Sequence, residues 1–167
     1  MASLKDKPVR VLEIGSFEGR SAVWLCENIL THPDARITCV DTFEGEDGHT
    51  PEKENLRSRF EHNIEPFRSK VDIIQSMSAD ALRKMTGEFD FIYIDGCHYT
   101  ANVLEDAVLA FPLLKVGGIM IFDDYMNGDI HSIKYPHIGV NAFVQCYQER
   151  LILLAQYEQL VLKKASD

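Results

Sequence analysis

Five short strand-like runs, several of them almost continuously apolar, recur along the chain, at 9–15 (VRVLEIG), 36–41 (RITCVD), 71–75 (VDIIQ), 89–95 (FDFIYID) and 118–123 (GIMIFD), with helix-patterned segments between them. A run apolar at consecutive positions buries both faces when extended, so it belongs inside a covered sheet rather than on an open one. The intervening stripes repeat at helical spacing: Ala22, Leu25, Cys26 and Ile29; Leu56, Phe60 and Ile64; Leu104, Ala107, Val108 and Phe111; Val140, Phe143, Val144 and Tyr147. The second stripe stops ahead of Pro66, whose ring disfavours helix at the residue before it. Strand and helix in strict alternation predict a doubly wound, mostly parallel α/β sheet with right-handed crossovers. The end of the chain departs from this rhythm. In "RLILLAQYEQLVLKKA" two apolar runs, about 151–155 and 159–163, lie too close for a crossover helix and must pair antiparallel.

A chain of 167 residues is expected to form one domain, spanning 1–167. Its net charge of −9 opposes binding to a nucleic-acid backbone, which requires a basic surface. No apolar run approaches the length of a membrane span, and "MASLKDKP" lacks the apolar stretch of a signal peptide, so a cytoplasmic protein is expected. Cys26, Cys39, Cys97 and Cys146 are far apart and read as reduced thiols.

In open α/β sheets, ligands sit where strand C-termini meet the following helix N-termini. Gly15 and Gly19 stand there after the first strand, in "EIGSFEGRSA". Glycine lets backbone approach a ligand closely, and the first amides of the next helix are free donors, with the Ser21 hydroxyl beside them. Asp41 ends the second strand, where a carboxylate can accept both hydroxyls of a ribose. The turn has the spacing G-x-x-x-G rather than the G-x-G-x-x-G of a dinucleotide site. Glu13, just ahead of it, would repel a pyrophosphate and attract an ammonium. Together these residues favour S-adenosylmethionine over a nicotinamide cofactor.

The segments "VLEIGSFEGRSA", "ITCVDTFEG" and "FDFIYIDGCHYTANVLEDAVLAFPLLKVGGIMIFDDY", with the closing hairpin, resemble the class I S-adenosylmethionine-dependent methyltransferases. The likeness is greatest to small O-methyltransferases whose fourth strand ends in I-D-G-x-H and whose fifth ends in D-D-Y. It implies a Rossmann-like sheet and assigns Glu13, Gly15, Ser16, Gly19 and Ser21 to the methionine end of the cofactor. Asp41, Thr42 and Phe43 fall to the ribose, and Met77 and Ser78 to the adenine. Ser78 also stands where a helix N-cap would.

Asp95, Asp123 and Asp124 end two strands expected to be neighbours, and carboxylates gathered so closely repel unless a cation or donors intervene. Metal-dependent O-methyltransferases of catechol and macrocin type are similar at this edge, which implies that the three aspartates chelate Mg²⁺ and that Asp95 also contacts the cofactor. The bland alternative has Asp123 and Asp124 capping turns. Macrocin-type enzymes read D-G-D-x-Y where this chain has Asp95-Gly96-Cys97-His98-Tyr99. Cys97 replaces the second acid, which makes His98 the candidate base. Tyr99 and Tyr125 either wall an acceptor pocket or cover the sheet edge.

Other residues carry plainer expectations. Trp24, outside its helix's stripe, reads as a packing or interface residue. His49, His131 and His137, with Glu44, Glu46 and Asp47, read as solvent-facing loop residues, and Gly117-Gly118 as a helix C-cap. The function expected is methyl transfer to a hydroxyl of a small molecule. The rival is a catalytically silent cofactor-binding module that acts through a partner protein. Only eight residues precede the first strand, so the N-terminal helices that roof the acceptor site in most relatives are not expected, and a second copy in a homodimer could supply that roof.

Overall fold

A computed structural model of the chain describes residues 2–45, 55–126, 132 and 135–167. Glu46, Asp47, His49 and His131 lie outside the described residues. Seven strands form one sheet: β1 (Arg10–Ile14), β2 (Arg36–Asp41), β3 (Val71–Gln75), β4 (Phe89–Ile94), β5 (Leu114–Phe122), β6 (Leu151–Gln156) and β7 (Leu160–Lys164). Their order is β3-β2-β1-β4-β5-β7-β6. β1 to β5 pair in parallel, and β7 enters antiparallel between β5 and β6. The doubly wound sheet and its antiparallel hairpin are therefore as the patterning requires. Among the described residues no helix is long and apolar enough to cross a membrane.

The helices are α1 (Arg20–Asn28), α2 (Leu56–Asn63), α3 (Ser78–Lys84), α4 (Thr100–Ala110) and α5 (Pro136–Tyr147). Strand alternation divides the core between two faces. Val11, Ile37, Cys39 and Phe91 pack with Leu25 and Cys26 of α1 and Phe60 of α2. Leu12, Ile14, Ile92, Met120 and Phe122 pack with Leu82 of α3, Val103 and Ala107 of α4, and Phe143 of α5.

Two local expectations need correction. Gly117 and Gly118 lie inside β5, which begins at Leu114. The turn Phe111–Leu113 has already ended the helix, and Gly117, at φ +86°, marks the irregularity where the β4–β5 register shifts between Phe89 and Phe91. On α4 the buried positions are Val103, Asp106, Ala107 and Ala110, whereas Val108 is exposed. Gly139 of α5 packs closely on the start of α4, where a Cβ would come within 2.3 Å of the Thr100 carbonyl oxygen.

Candidate functional site

The functional edge is where β1, β2, β4 and β5 end. Alternation places Glu13, Asp41, Asp95 and Asp123 at the parity of Val11, Cys39, Tyr93 and Ile121, on the α1 side of the sheet. The ladder continues one residue past the strands: the Gly15 amide donates to Val40, Asp95 to Ile14 and Asp123 to Ile94. Gly15 holds φ +83° with its α-carbon pressed on the β4 turn, and a Cβ there would sit 2.0 Å from the Asp95 carbonyl oxygen. Gly19, at φ +85°, is the N-cap of α1, and a Cβ would lie 2.9 Å from the Phe60 ring. Both glycines make their close approach to the protein itself, Gly15 to the β4 turn and Gly19 to the Phe60 ring.

Glu13 is fully buried on β1 between Cys39 and Tyr93. One carboxylate oxygen accepts the Ser16 hydroxyl, Ser21 also bonds the group, and its Oε1 has no partner among the described residues. Burial pushes its pKa up, and the Ser16, Ser21 and Cys39 donors oppose that only in part. A buried carboxylate with an orphaned oxygen is a strong local attractor for a cation.

Asp41 has a role that the spacing did not reveal. Its Oδ2 accepts the amides of Ser16 (2.7 Å) and Phe17 (2.8 Å), and its Oδ1 accepts that of Phe43 (2.6 Å). This carboxylate ties the β1 turn to the β2 turn before any ligand arrives. The Thr42 hydroxyl accepts the Glu44 amide, and its carbonyl accepts Gln75 Nε2. Phe43, at φ +58°, buries its ring against Phe60, with the Arg57 guanidinium over it. Met77 is the N-cap of α3 and exposed. Ser78 is therefore the first helical residue rather than the cap, and its hydroxyl bonds the buried carboxyl of Asp106.

The acids after β4 and β5 divide into two groups. Asp123 accepts the Tyr93 hydroxyl on one oxygen and Gln159 Nε2 (2.8 Å) on the other. Asp124, in the left-handed region at φ +50°, turns the other way, and its Oδ2 lies 3.1 Å from His98 Nε2. That nitrogen is 3.7 Å from Asp95 Oδ1. Among the described residues, Asp95, His98 and Asp124 bring donor atoms within 4.8 Å of one another, and Asp123 is not in that group. Burial raises the Asp95 pKa, the His98 hydrogen bond lowers it, and the charges of Asp123 and Asp124 raise it further. The charges of Asp123 and Asp124 add to burial in disfavouring the Asp95 carboxylate, and His98 opposes them in part.

Beside this edge, a cavity of about 720 Å³ runs between α1 and the face of β4 and β5. Ser21, Asp95, Asp123, Tyr93 and Gln159 lie along it with Val23, Trp24, Leu25, Phe91 and Ile121, and Arg20 and Glu27 also border it. Trp24, Gln159 and Tyr93 were not singled out as site residues by sequence reasoning. Tyr93 could have been found, since it shares a strand face with Asp95 two residues on and pairs with Ile121, two before Asp123. Tyr125 is buried with its hydroxyl on Asn141, so it covers the sheet edge. His137 is half-buried between the rings of Tyr125 and Tyr135 rather than solvent-facing.

Residues 12–125 match the family model described as "Methyltransferase domain". The chain belongs to this methyltransferase family. The curated O-methyltransferase hkm8 of Aspergillus hancockii is 29% identical over 123 residues, which is 73% of this chain and 45% of that protein. The chain thus spans about half the length of this relative. Among solved structures, an O-methyltransferase from Bacillus cereus in complex with SAH superposes with TM-score 0.69 at 20% identity, covering 93% of this chain and 74% of that one. An rRNA methylase from Streptococcus thermophilus superposes with TM-score 0.69 at 12% identity, covering 99% and 92%. At these identities the two structures establish the shared fold of this family member.

Proposed function

We propose that the chain binds S-adenosylmethionine along the β1–β2 edge and transfers its methyl group to a hydroxyl of a small molecule. The observation that carries this reading is the side-chain group Asp95–His98–Asp124 standing one turn from the glycine cradle. The fit of the cofactor rests on Glu13. Among the described residues its buried Oε1 has no partner, and with the Ser16 and Ser21 hydroxyls it offers acceptors suited to the methionine ammonium. After its three amide bonds Asp41 keeps one acceptor position for a ribose hydroxyl, and Met77 and Ser78 border the adenine.

Methyl transfer forms an oxygen–carbon bond as the carbon–sulfur bond breaks, and the sulfur keeps the electron pair. The hydroxyl proton passes to the His98 imidazole, whose cation is then flanked by Asp95 and Asp124. The protein otherwise aligns the oxygen with the methyl group and excludes water, effects worth on the order of 7–11 kcal/mol in favourable cases.

Mg²⁺ fits this arrangement poorly. It favours oxygen donors, whereas the gathered set contains an imidazole and leaves out Asp123, which Tyr93 and Gln159 hold. The proposed reaction has no step that depends on it. His98→Gln should lower kcat for transfer of labelled methyl to a panel of hydroxylated small molecules by ~10²–10⁴. It should leave the affinity for S-adenosylhomocysteine, measured calorimetrically, unchanged. An unaltered kcat would remove His98 from the chemistry.

A further inference from the structure

The two edges of the sheet are built differently. At one edge, β3 carries exposed Asp72 and Gln75, and none of its apolar side chains is exposed. Charged and polar groups on an edge strand discourage another strand from adding to it. At the other edge, β6 reads Leu-Ile-Leu-Leu-Ala-Gln, and no charged residue or proline occurs from Leu151 to Tyr157. Among the described residues no strand pairs with its outer side. Ile152, Leu153 and Leu154 are 47%, 56% and 49% exposed, and Tyr157, just past the strand, is 80% exposed. Ile152 aligns with Lys163 and Leu153 with Leu162, neighbours on β7 that point to opposite faces, so apolar surface stands open on both sides of this edge. A register shift between Leu153 and Ala155 bends the strand, as bulges at defended edges do, but leaves these side chains open.

We propose that β6 is a dimer interface, at which a second copy of this chain adds its own β6 antiparallel across a two-fold axis and continues the sheet. Charge specifies this occupant. Arg150 stands at the start of β6 and Glu158 beyond its end, both exposed. Antiparallel pairing of two copies brings Arg150 of each, with Glu149 before it, to the end where the other carries Glu158. Parallel pairing would set Arg150 against Arg150 and Glu158 against Glu158, which is unfavourable. The uncharged run ends in charged residues on both sides, so two copies in this arrangement cover each other's leucines, and a slipped register would set charges against them. Pairing consumes the outer edge of both copies, and assembly stops at two. The paired strands run oppositely, so the two functional edges point opposite ways and both stay open. The turn that carries Gln159, the partner of Asp123, is the turn beside which Arg150 of the other copy arrives. None of this depends on the methyltransferase reading.

Sedimentation equilibrium at micromolar protein should give twice the mass of one chain. Leu153→Lys, at an exposed site where folding is not at stake, should raise the dissociation constant by roughly ten-fold or more. Trp24→Lys, which puts the same charge on the exposed wall of the cavity beside α1, should leave it unchanged. Arg150→Glu should weaken the dimer, and adding Glu158→Arg should restore it, a rescue specific to antiparallel pairing of two copies. Hydrogen exchange separates a shared ladder from a contact between sheet faces: amides of Leu151–Gln156 on the outer side gain carbonyl partners, so they should exchange more slowly as protein concentration rises. A monomer at every concentration, or an open-ended assembly larger than two, overturns the proposal. So does a dimer that Trp24→Lys breaks and Leu153→Lys spares, failure of the charge exchange to rescue, or β6 amides whose exchange is the same in monomer and dimer.

Discussion

Gly15→Ala tests the contact on which the site is built. Two costs follow from the geometry. Holding φ +83° with an L side chain costs roughly 1–2 kcal/mol. The new Cβ would also stand 2.0 Å from the Asp95 carbonyl oxygen and 2.4 Å from its carbon, against 3.4 Å or more for ordinary contact. Both partners are backbone, so the β4 turn must retreat by more than an ångström. That movement strains or breaks the bond from the Asp95 amide to Ile14, about 1 kcal/mol, on top of an overpacking cost of roughly 1–3 kcal/mol. The sum is about 3–6 kcal/mol, a large share of a typical domain's stability. Gly117→Ala is the control: its φ is +86°, but none of the described residues lies within 4 Å of the added Cβ. Urea unfolding at unchanged m should show the Gly15 variant losing at least ~2 kcal/mol more than the Gly117 variant. Calorimetry should show its affinity for S-adenosylhomocysteine reduced at least ten-fold. Equal destabilisation of the two variants would refute the claim that the β1 and β4 turns are pressed together at Gly15.

Two further outcomes follow from buried and shared carboxylates. The Asp106 carboxyl, 2% exposed, has its pKa pushed up to about 6 by burial, above the ordinary value of 3.8. The folded state thus disfavours its charge: the penalty is full above pH 6, shrinks as pH falls and vanishes below about pH 4. Asp106→Asn should accordingly stabilise the protein at pH 7.5 by up to ~3 kcal/mol, with the gain gone at pH 4; a gain independent of pH across that range would contradict the burial argument. Asp41→Asn sets an amide N–H₂ against one of the three backbone donors and should cost the ligand-free protein about 2 kcal/mol in urea unfolding. Were Asp41 only a ribose ligand, ligand-free stability would not change.

The layered fold was legible because patterning encodes it: runs buried on both faces can only be interior strands, and the short 151–163 segment can only turn back on itself. The start of β5 was not legible, because a Gly-Gly pair after a helical stripe looks the same whether it caps the helix or bends a strand. The buried face of α4 was not legible either, because it packs against α5 near Gly139, a contact between residues far apart in the chain. At the site, sequence placed the carboxylates on one edge but not their partners. Asp123 and Asp124 are neighbours, yet the positive φ of Asp124 sends their side chains to different groups. Gln159 arrives from the β6–β7 turn with no motif to announce it. The spacing points to a ribose at Asp41 but does not show the three backbone amides that converge on it.

A crystal structure of the protein with S-adenosylhomocysteine tests the central proposal most directly. The proposal predicts a ribose hydroxyl at Asp41, the methionine amine over Ser16 and Ser21, and the sulfur facing Asp95 with a clear line to His98. The thioether bound elsewhere, or with its sulfur turned from Asp95 toward β3, would contradict it.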